Sequence, residues 1–169
     1  MDAHYFQRID ALHFTMAHDD GVLVEDVEQA DIVLVGVSRS SKTPTSIYLA
    51  NKGYKTLNVP FVPGCAMPQE LDNLKNKFVI GLTTSAERLV QIRTNRLRSI
   101  NENEEALYTD HEHILSEIKE CRRYCTDRGW QTIDVTRRSI EESAAAILNR
   151  YYGWLETQPK GTARVKEIS

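Results

Sequence analysis

The spacing of apolar side chains changes along the chain, and these changes separate predicted helices from predicted strands. In residues 5–18, apolar side chains recur every three or four positions, which predicts an amphipathic helix. The segment "DIVLV", residues 31–35, is instead an almost unbroken apolar run, which is typical of a strand buried on both faces. Three further strands are predicted at residues 55–62, 77–82 and 130–136.

The predicted helices alternate with these strands and cover residues 44–53, 84–100, 109–128 and 139–152. Three of them begin with a capping box, in which Thr84, Thr109 or Ser139 is followed by a glutamate three positions later. Strand and helix therefore alternate four times. This order predicts an α/β fold with a mostly parallel sheet of about four strands, helices on both faces and one preceding N-terminal helix.

Composition and charge are those of a soluble globular domain. The 169 residues are 41% hydrophobic and 27% charged, and the net charge is −3. A weakly acidic chain provides no basic field, so neither nucleic acid nor a membrane is expected as a partner. No apolar run approaches about 18 residues. The N-terminus also lacks the layout of a signal peptide, and a cytoplasmic location is therefore expected.

The candidate chemistry begins where the first predicted strand ends. The segment "GVSRSSKT" has the spacing of a phosphate-binding P-loop between a buried strand and a helix. Successive backbone N–H groups of such a loop surround phosphate oxygens, its lysine contacts the terminal phosphates and its threonine hydroxyl binds Mg²⁺. The residues predicted to bind nucleotide are Gly36, Val37, Ser38, Arg39, Ser40, Ser41, Lys42 and Thr43.

Ser41 stands where the usual P-loop pattern has a second glycine. We expect Ser41 to need a negative φ, and Gly36 to supply a conformation closed to other residues. With this loop, the fold class becomes a P-loop kinase-like three-layer α/β fold. Its nucleotide-binding kinase domain covers residues 31–153. Residues 1–30 resemble the end of a preceding region, and residues 154–169 are expected to be a disordered tail.

A carboxylate partner for the metal is missing from the ends of the later predicted strands, because Asp134 is predicted to lie inside the fourth strand. His18, Asp19 and Asp20, in the segment "HDDG", are the candidate substitutes. A carboxylate there could accept the proton of an attacking hydroxyl or hold Mg²⁺ through water. The alternative is an ordinary helix end, where the helix dipole favours His18.

Two arginine pairs are candidate phosphate contacts. Arg93 and Arg96 share one face of a predicted helix, where they could close over a phosphoryl group or form a solvated basic face. Arg137 and Arg138 follow the last predicted strand. Ligands of open α/β sheets bind at this carboxyl edge, so this pair is predicted to contact the base or the phosphate of a nucleotide.

Longer segments of the chain resemble one family. The segments "FTMAHDDG", "GVSRSSKTPTSIYLANKG", "NVPFVPG", "GLTTSAERLVQIRTNRLRS" and "IDVTRRSIEESAAAIL" together resemble the pyruvate, phosphate/water dikinase regulatory proteins. The resemblance covers about residues 5–152 and includes a serine in the second-glycine position. Members of this family carry a further N-terminal region, so this chain is expected to be a C-terminal part.

The resemblance implies a bifunctional enzyme. One activity is a serine/threonine kinase that uses ADP to phosphorylate an active-site threonine of the dikinase. The other is a phosphorylase that transfers the phosphoryl group to inorganic phosphate and yields pyrophosphate. The ADP-binding loop is carried over to Gly36–Thr43, with Mg²⁺ as the expected metal.

The partner implied by the loop serine and by "NVPFVPG" is pyruvate, phosphate dikinase, with phosphoenolpyruvate synthase as the alternative target. Two other functions stay open. One is a small-molecule P-loop kinase, and the other is a non-catalytic ADP-binding module that docks on a dikinase. A homodimer, and the activity of this shortened chain, are also left open.

Overall fold

Four short apolar strands form the centre of the molecule. In the computed structural model, which describes residues 3–21, 24–72, 74, 76–100 and 109–159, they are β1 (Ile32–Gly36), β2 (Thr56–Pro60), β3 (Phe78–Thr83) and β4 (Gln131–Asp134). The strand order is β2-β1-β3-β4, and all three pairings are parallel. The predicted parallel α/β sheet of four strands is therefore confirmed.

Five α-helices connect and cover these strands within the described residues. They are α1 (Ala3–Ala17), α2 (Lys42–Asn51), α3 (Ala86–Ile100), α4 (His111–Asp127) and α5 (Ile140–Glu156). Helix α2 begins two residues before the predicted start, and α5 extends into the segment predicted to be a tail. Residues 160–169 of that tail and the predicted polar break at 101–108 lie outside the described residues.

The two faces of the sheet bury alternate side chains of β1 in separate cores. Val33 and Val35 pack on one face with side chains of α3 and α4, and Ile32 and Leu34 pack on the other with side chains of α2 and α5. Because both faces are covered, all five residues of β1 are buried. The three-layer arrangement follows directly from the unbroken apolar run in the sequence.

Helix α1 covers the outer edge of β2. Ala11, Phe14 and Thr15 form its buried face, and the hydroxyl oxygen of Thr15 accepts a hydrogen bond of 3.0 Å from the backbone N of Thr56. This bond satisfies a backbone donor on an edge strand, which would otherwise need water or another strand. The turn after α1 then lies beside the middle of β2, where Asp19 and Asp20 contact Asn58.

One of the three predicted helix caps, that at Ser139, is confirmed. The Ser139 hydroxyl accepts a hydrogen bond of 3.1 Å from Glu142 N at the start of α5. The prediction at Thr84 is wrong, because Ser85 caps α3 while the Thr84 hydroxyl lies 3.3 Å from that of Thr136.

The predicted cap at Thr109 is also wrong. Helix α4 begins at His111, and Asp110 is its N-cap residue. Within the described part of the chain, none of the helices is both long and apolar enough to cross a membrane.

Candidate functional site

The loop between β1 and α2 folds back on its own backbone. The carbonyl oxygen of Val37 accepts hydrogen bonds from the Ser40 hydroxyl at 2.8 Å and from Lys42 Nζ at 2.9 Å. Arg39 and Ser41 both have a φ of 68°, in the left-handed region. These two turns close the loop tightly over the end of β1, as a phosphate-binding loop requires.

The expectation of a negative φ at Ser41 is therefore wrong. A left-handed conformation costs a residue with a Cβ atom roughly 1–2 kcal/mol, which the closed loop has to compensate. The reason expected for Gly36 is also wrong, since its φ is not positive. A Cβ atom at Gly36 would lie 2.6 Å from Ser40 Oγ and 2.9 Å from the Leu82 carbonyl oxygen, so the position requires space rather than a special φ.

Lys42 is buried at the base of this loop, with 6% of its surface exposed. Burial lowers the pKa of its ammonium from 10.5 to about 8, and the negative charges of Asp20 and Asp19 offset part of the effect. Its single charge thus lies in a poorly solvated position beside two carboxylates. A phosphate group entering the loop would offer this ammonium a stronger partner than the Val37 carbonyl.

Asp19 connects the turn after α1 to the first turn of α2. Its Oδ1 accepts hydrogen bonds from the Thr43 hydroxyl at 2.9 Å and from Asn58 Nδ2 at 2.6 Å. A carboxylate and a hydroxyl side by side are hard oxygen donors of the kind that Mg²⁺ prefers, together with phosphate and water. The donor set therefore fits the metal predicted at Thr43.

Asp20 lies at the mouth of the same site. It has a left-handed backbone (φ 55°, ψ 43°), and its N donates to Asn58 Oδ1 at 3.0 Å. Asp20 lines a cavity of about 500 Å³ together with Ser41, Lys42 and Thr43. The structure thus brings both predicted acids to the loop between β1 and α2.

His18 is held away from the cavity. Its Nδ1 lies 2.6 Å from the Phe14 carbonyl oxygen, and its Nε2 lies 2.7 Å from Asp26 Oδ2. The ring also stacks on Phe14, with 3.9 Å between the centroids. Both ring nitrogens therefore have acceptor partners, and the geometry supports the alternative that His18 stabilises the helix end.

Arg93 is buried against the loop between β1 and α2, so it is not part of a solvated face. It is 1% exposed, and its guanidinium pairs with both carboxylate oxygens of Glu117 at 2.8 and 3.1 Å. Its Nη2 also donates to the Ser38 carbonyl oxygen at 3.2 Å. Arg96, the other predicted phosphate contact on α3, is exposed.

Arg137 and Arg138 belong to a second cavity at the same edge of the sheet. This cavity of about 630 Å³ is lined by Ser85, Glu87, Asp134, Thr136, Arg137 and Arg138. Asp134 is the last residue of β4, so its predicted place inside the strand is wrong. Hydrogen bonds from the hydroxyl and N of Thr136 lower the pKa of the Asp134 carboxyl. β4 lies two strands from β1, about 10 Å by strand spacing.

Two residues of the site were missed from the sequence. Asn58 contacts both acids, and it could have been noticed as the one amide within the apolar segment "TLNVP". Glu117 neutralises Arg93, and its spacing from Ile114 and Cys121 places it on the buried face of α4. A charged residue in such a position requires a buried partner.

Comparison with known proteins agrees with this geometry. The sequence matches the family model described as kinase/pyrophosphorylase over residues 1–148. A relative from Rhizorhabdus wittichii is 58% identical over 149 residues, which are 88% of this chain and 54% of the relative. A relative from Ehrlichia chaffeensis is 49% identical over 151 residues, which are 89% of this chain and 55% of the relative. Both carry the name of a pyruvate, phosphate dikinase regulatory protein.

The chain spans about half the length of the curated relatives it matches. The matched residues include the loop between β1 and α2, together with Asp19, Asp20 and Arg93. The family indicated by the sequence motifs is confirmed, and the chain belongs to the kinase/pyrophosphorylase family.

Proposed function

We propose that this chain supplies the ADP-binding site of a bifunctional kinase and phosphorylase that regulates pyruvate, phosphate dikinase. The observation that carries the proposal is the contact of Asp19 with Thr43, 2.9 Å long, beside the buried Lys42. It joins an acid, a hydroxyl and an ammonium at one loop, which is the set of groups that phosphoryl transfer needs. The relatives named as dikinase regulators support the choice of partner.

In the proposed kinase reaction, the loop amides and Lys42 hold the β-phosphate of ADP. Lys42 exchanges its bond with the Val37 carbonyl for a phosphate oxygen. Mg²⁺, when bound by Thr43 and Asp19, would neutralise charge on the phosphates. The threonine hydroxyl of the dikinase attacks the β-phosphorus, its proton passes to Asp20, and AMP leaves.

In the proposed phosphorylase reaction, inorganic phosphate attacks the phosphothreonine at the same loop. The new P–O bond gives pyrophosphate, and the threonine oxygen leaves and regains a proton. Arg93 keeps the loop in shape through the Ser38 carbonyl, while Arg39 lines the cavity and can contact phosphate directly. One loop thus serves both directions of regulation.

The second cavity extends the proposal to the nucleoside. The phosphate loop follows β1 and this cavity follows β4, so a nucleoside attached to the diphosphate could span the distance between them. Arg137 and Arg138 would contact the base there. Cytoplasmic location and a homodimer stay predictions.

The test uses ADP that carries a radioactive β-phosphate. The chain is incubated with this ADP, Mg²⁺ and pyruvate, phosphate dikinase, and we expect label on a threonine of the dikinase. Inorganic phosphate added afterwards should release the label as pyrophosphate. Lys42→Met should remove both reactions, while Lys119→Met, at an exposed lysine of α4, should leave them unchanged.

Other outcomes would contradict the proposal in distinct ways. Binding of ADP without any transfer would assign this chain the role of a non-catalytic nucleotide-binding module. Transfer from ATP to a small metabolite would indicate a small-molecule kinase. Transfer to phosphoenolpyruvate synthase in place of pyruvate, phosphate dikinase would keep the reaction and change the target.

A further inference from the structure

Asn58 is a buried polar residue in a strand that otherwise contributes to the core. It is fully buried, and it pairs in register with Leu34, on the face of the sheet that α2 covers. An amide group left without partners at such a place costs about 1–3 kcal/mol, whereas an apolar side chain would pack against its neighbours. The presence of asparagine therefore has to be explained by its hydrogen bonds.

Both ends of the Asn58 amide are used by the acidic turn. Its Nδ2 donates to Asp19 Oδ1 at 2.6 Å, and its Oδ1 accepts from Asp20 N at 3.0 Å. A longer contact of 3.5 Å joins Nδ2 to Ser46 Oγ. One side chain thus fixes the carboxylate of Asp19 and the left-handed backbone of Asp20. Only a group with a donor and an acceptor side by side can do both.

We propose that Asn58 is a positioning residue for the metal-binding and proton-accepting acids of this site, an inference that rests on the proposed function. Asn58 and Thr43 both donate to Oδ1 of Asp19. Among the described residues, Oδ2 of Asp19 has no hydrogen bond, so it is available to Mg²⁺ or to one of its waters. Loss of the Nδ2 donor would leave the Asp19 carboxylate free to turn away from Thr43.

The first test measures how much Mg²⁺ strengthens ADP binding. Calorimetric affinities with and without Mg²⁺ are compared for the wild type, Asn58→Ala and Thr56→Val. We expect Asn58→Ala to reduce the Mg²⁺ enhancement about 10- to 100-fold, as is usual for the loss of a partner of a metal ligand. Affinity without Mg²⁺ should change little, because the described contacts of Asn58 include neither Lys42 nor the loop.

Thr56→Val is the matched control for stability. Thr56 is also fully buried in β2, and its hydroxyl donates to the Tyr54 carbonyl oxygen, away from the acids. We expect this variant to lower the free energy of unfolding while it keeps the wild-type Mg²⁺ enhancement. An equal loss of enhancement in both variants would show general destabilisation and would overturn the inference.

Asn58→Leu separates the hydrogen bonds from the volume of the side chain. Leucine fills a similar space, but it can neither donate to Asp19 nor accept from Asp20 N. We expect the Asp20 amide to exchange its hydrogen fast in Asn58→Leu as in Asn58→Ala. The Mg²⁺ enhancement should fall in both variants. A wild-type enhancement in Asn58→Leu would overturn the role of the amide group.

Failure of this inference is distinguishable from failure of the proposed function. A folded wild type that binds no ADP overturns the proposed function and this inference together. A wild type that binds Mg²⁺ and ADP, with an Asn58→Ala variant of unchanged Mg²⁺ enhancement, overturns only the role of Asn58.

Discussion

Replacement of Lys42 by methionine should make the protein more stable while it removes the main phosphate contact. Burial of Lys42 lowers its pKa from 10.5 to about 8. At about 1.4 kcal/mol per pKa unit, this difference means that burial of the charged ammonium lowers the free energy of unfolding by about 3 kcal/mol. Methionine has a similar shape but no charge. It loses the hydrogen bond to the Val37 carbonyl, so the net gain at pH 7 is expected to be about 2 kcal/mol.

The pH dependence of stability identifies the cause of this gain. Below pH 8 the folded wild type holds a protonated Lys42 and carries the full cost. Between pH 8 and 10.5 the folded state releases this proton while the unfolded state still binds it, so wild-type stability rises with pH. The advantage of Lys42→Met should therefore be complete at pH 7 and should shrink by about 2 kcal/mol by pH 9.5.

Urea unfolding followed by tryptophan fluorescence measures both quantities, with Trp130 and Trp154 as the probes. Other groups that titrate in this pH range are shared by the two proteins and cancel in the difference. Lys119→Met, at an exposed lysine, should show no such advantage. A Lys42→Met protein that is less stable than the wild type at pH 7, or whose advantage does not change with pH, would refute the reasoning.

Three further predictions concern the support of the loop and the last helix. Gly36→Ala should lower the free energy of unfolding by about 1–3 kcal/mol in urea, because its Cβ meets a buried hydroxyl and the Leu82 carbonyl; an unchanged value would contradict the close approach. Glu117→Gln should lower the free energy of unfolding in urea by about 3 kcal/mol, because the Arg93 charge loses its carboxylate partner Glu117. A loss below about 1 kcal/mol would show that water reaches this pair. Ser139→Ala should cost about 1 kcal/mol in thermal unfolding through loss of the α5 cap, and a fully stable variant would contradict the cap.

The strands and the loop could be predicted because their signals are local. The run at residues 31–35 has no polar alternation, so only a strand covered on both faces accommodates it, and the structure has this strand at the centre of the sheet. The spacing from Gly36 to Thr43 then placed the loop. The structure brings Asp19 and Asp20 to the same loop through the edge contacts of α1 and β2.

The errors come from features that depend on distant contacts. Arg93 lies among other arginines in a polar helix, and its burial depends on Glu117, 24 positions away. The φ of Ser41 is set by the closure of the whole loop rather than by the preference of serine. Asp134 lies at a strand end because β4 pairs with β3, and the last pair joins Asp134 to Thr83, where β3 ends.

Calorimetric titration of Mg²⁺ and ADP into the wild type and Lys42→Met tests the central claim most directly. The wild type should bind ADP, and loss of the charge-assisted phosphate contact should weaken binding about 100-fold in a variant that is still folded. Lys119→Met should bind like the wild type. An equal affinity of Lys42→Met and wild type for ADP would contradict the assignment of this loop as the phosphate site.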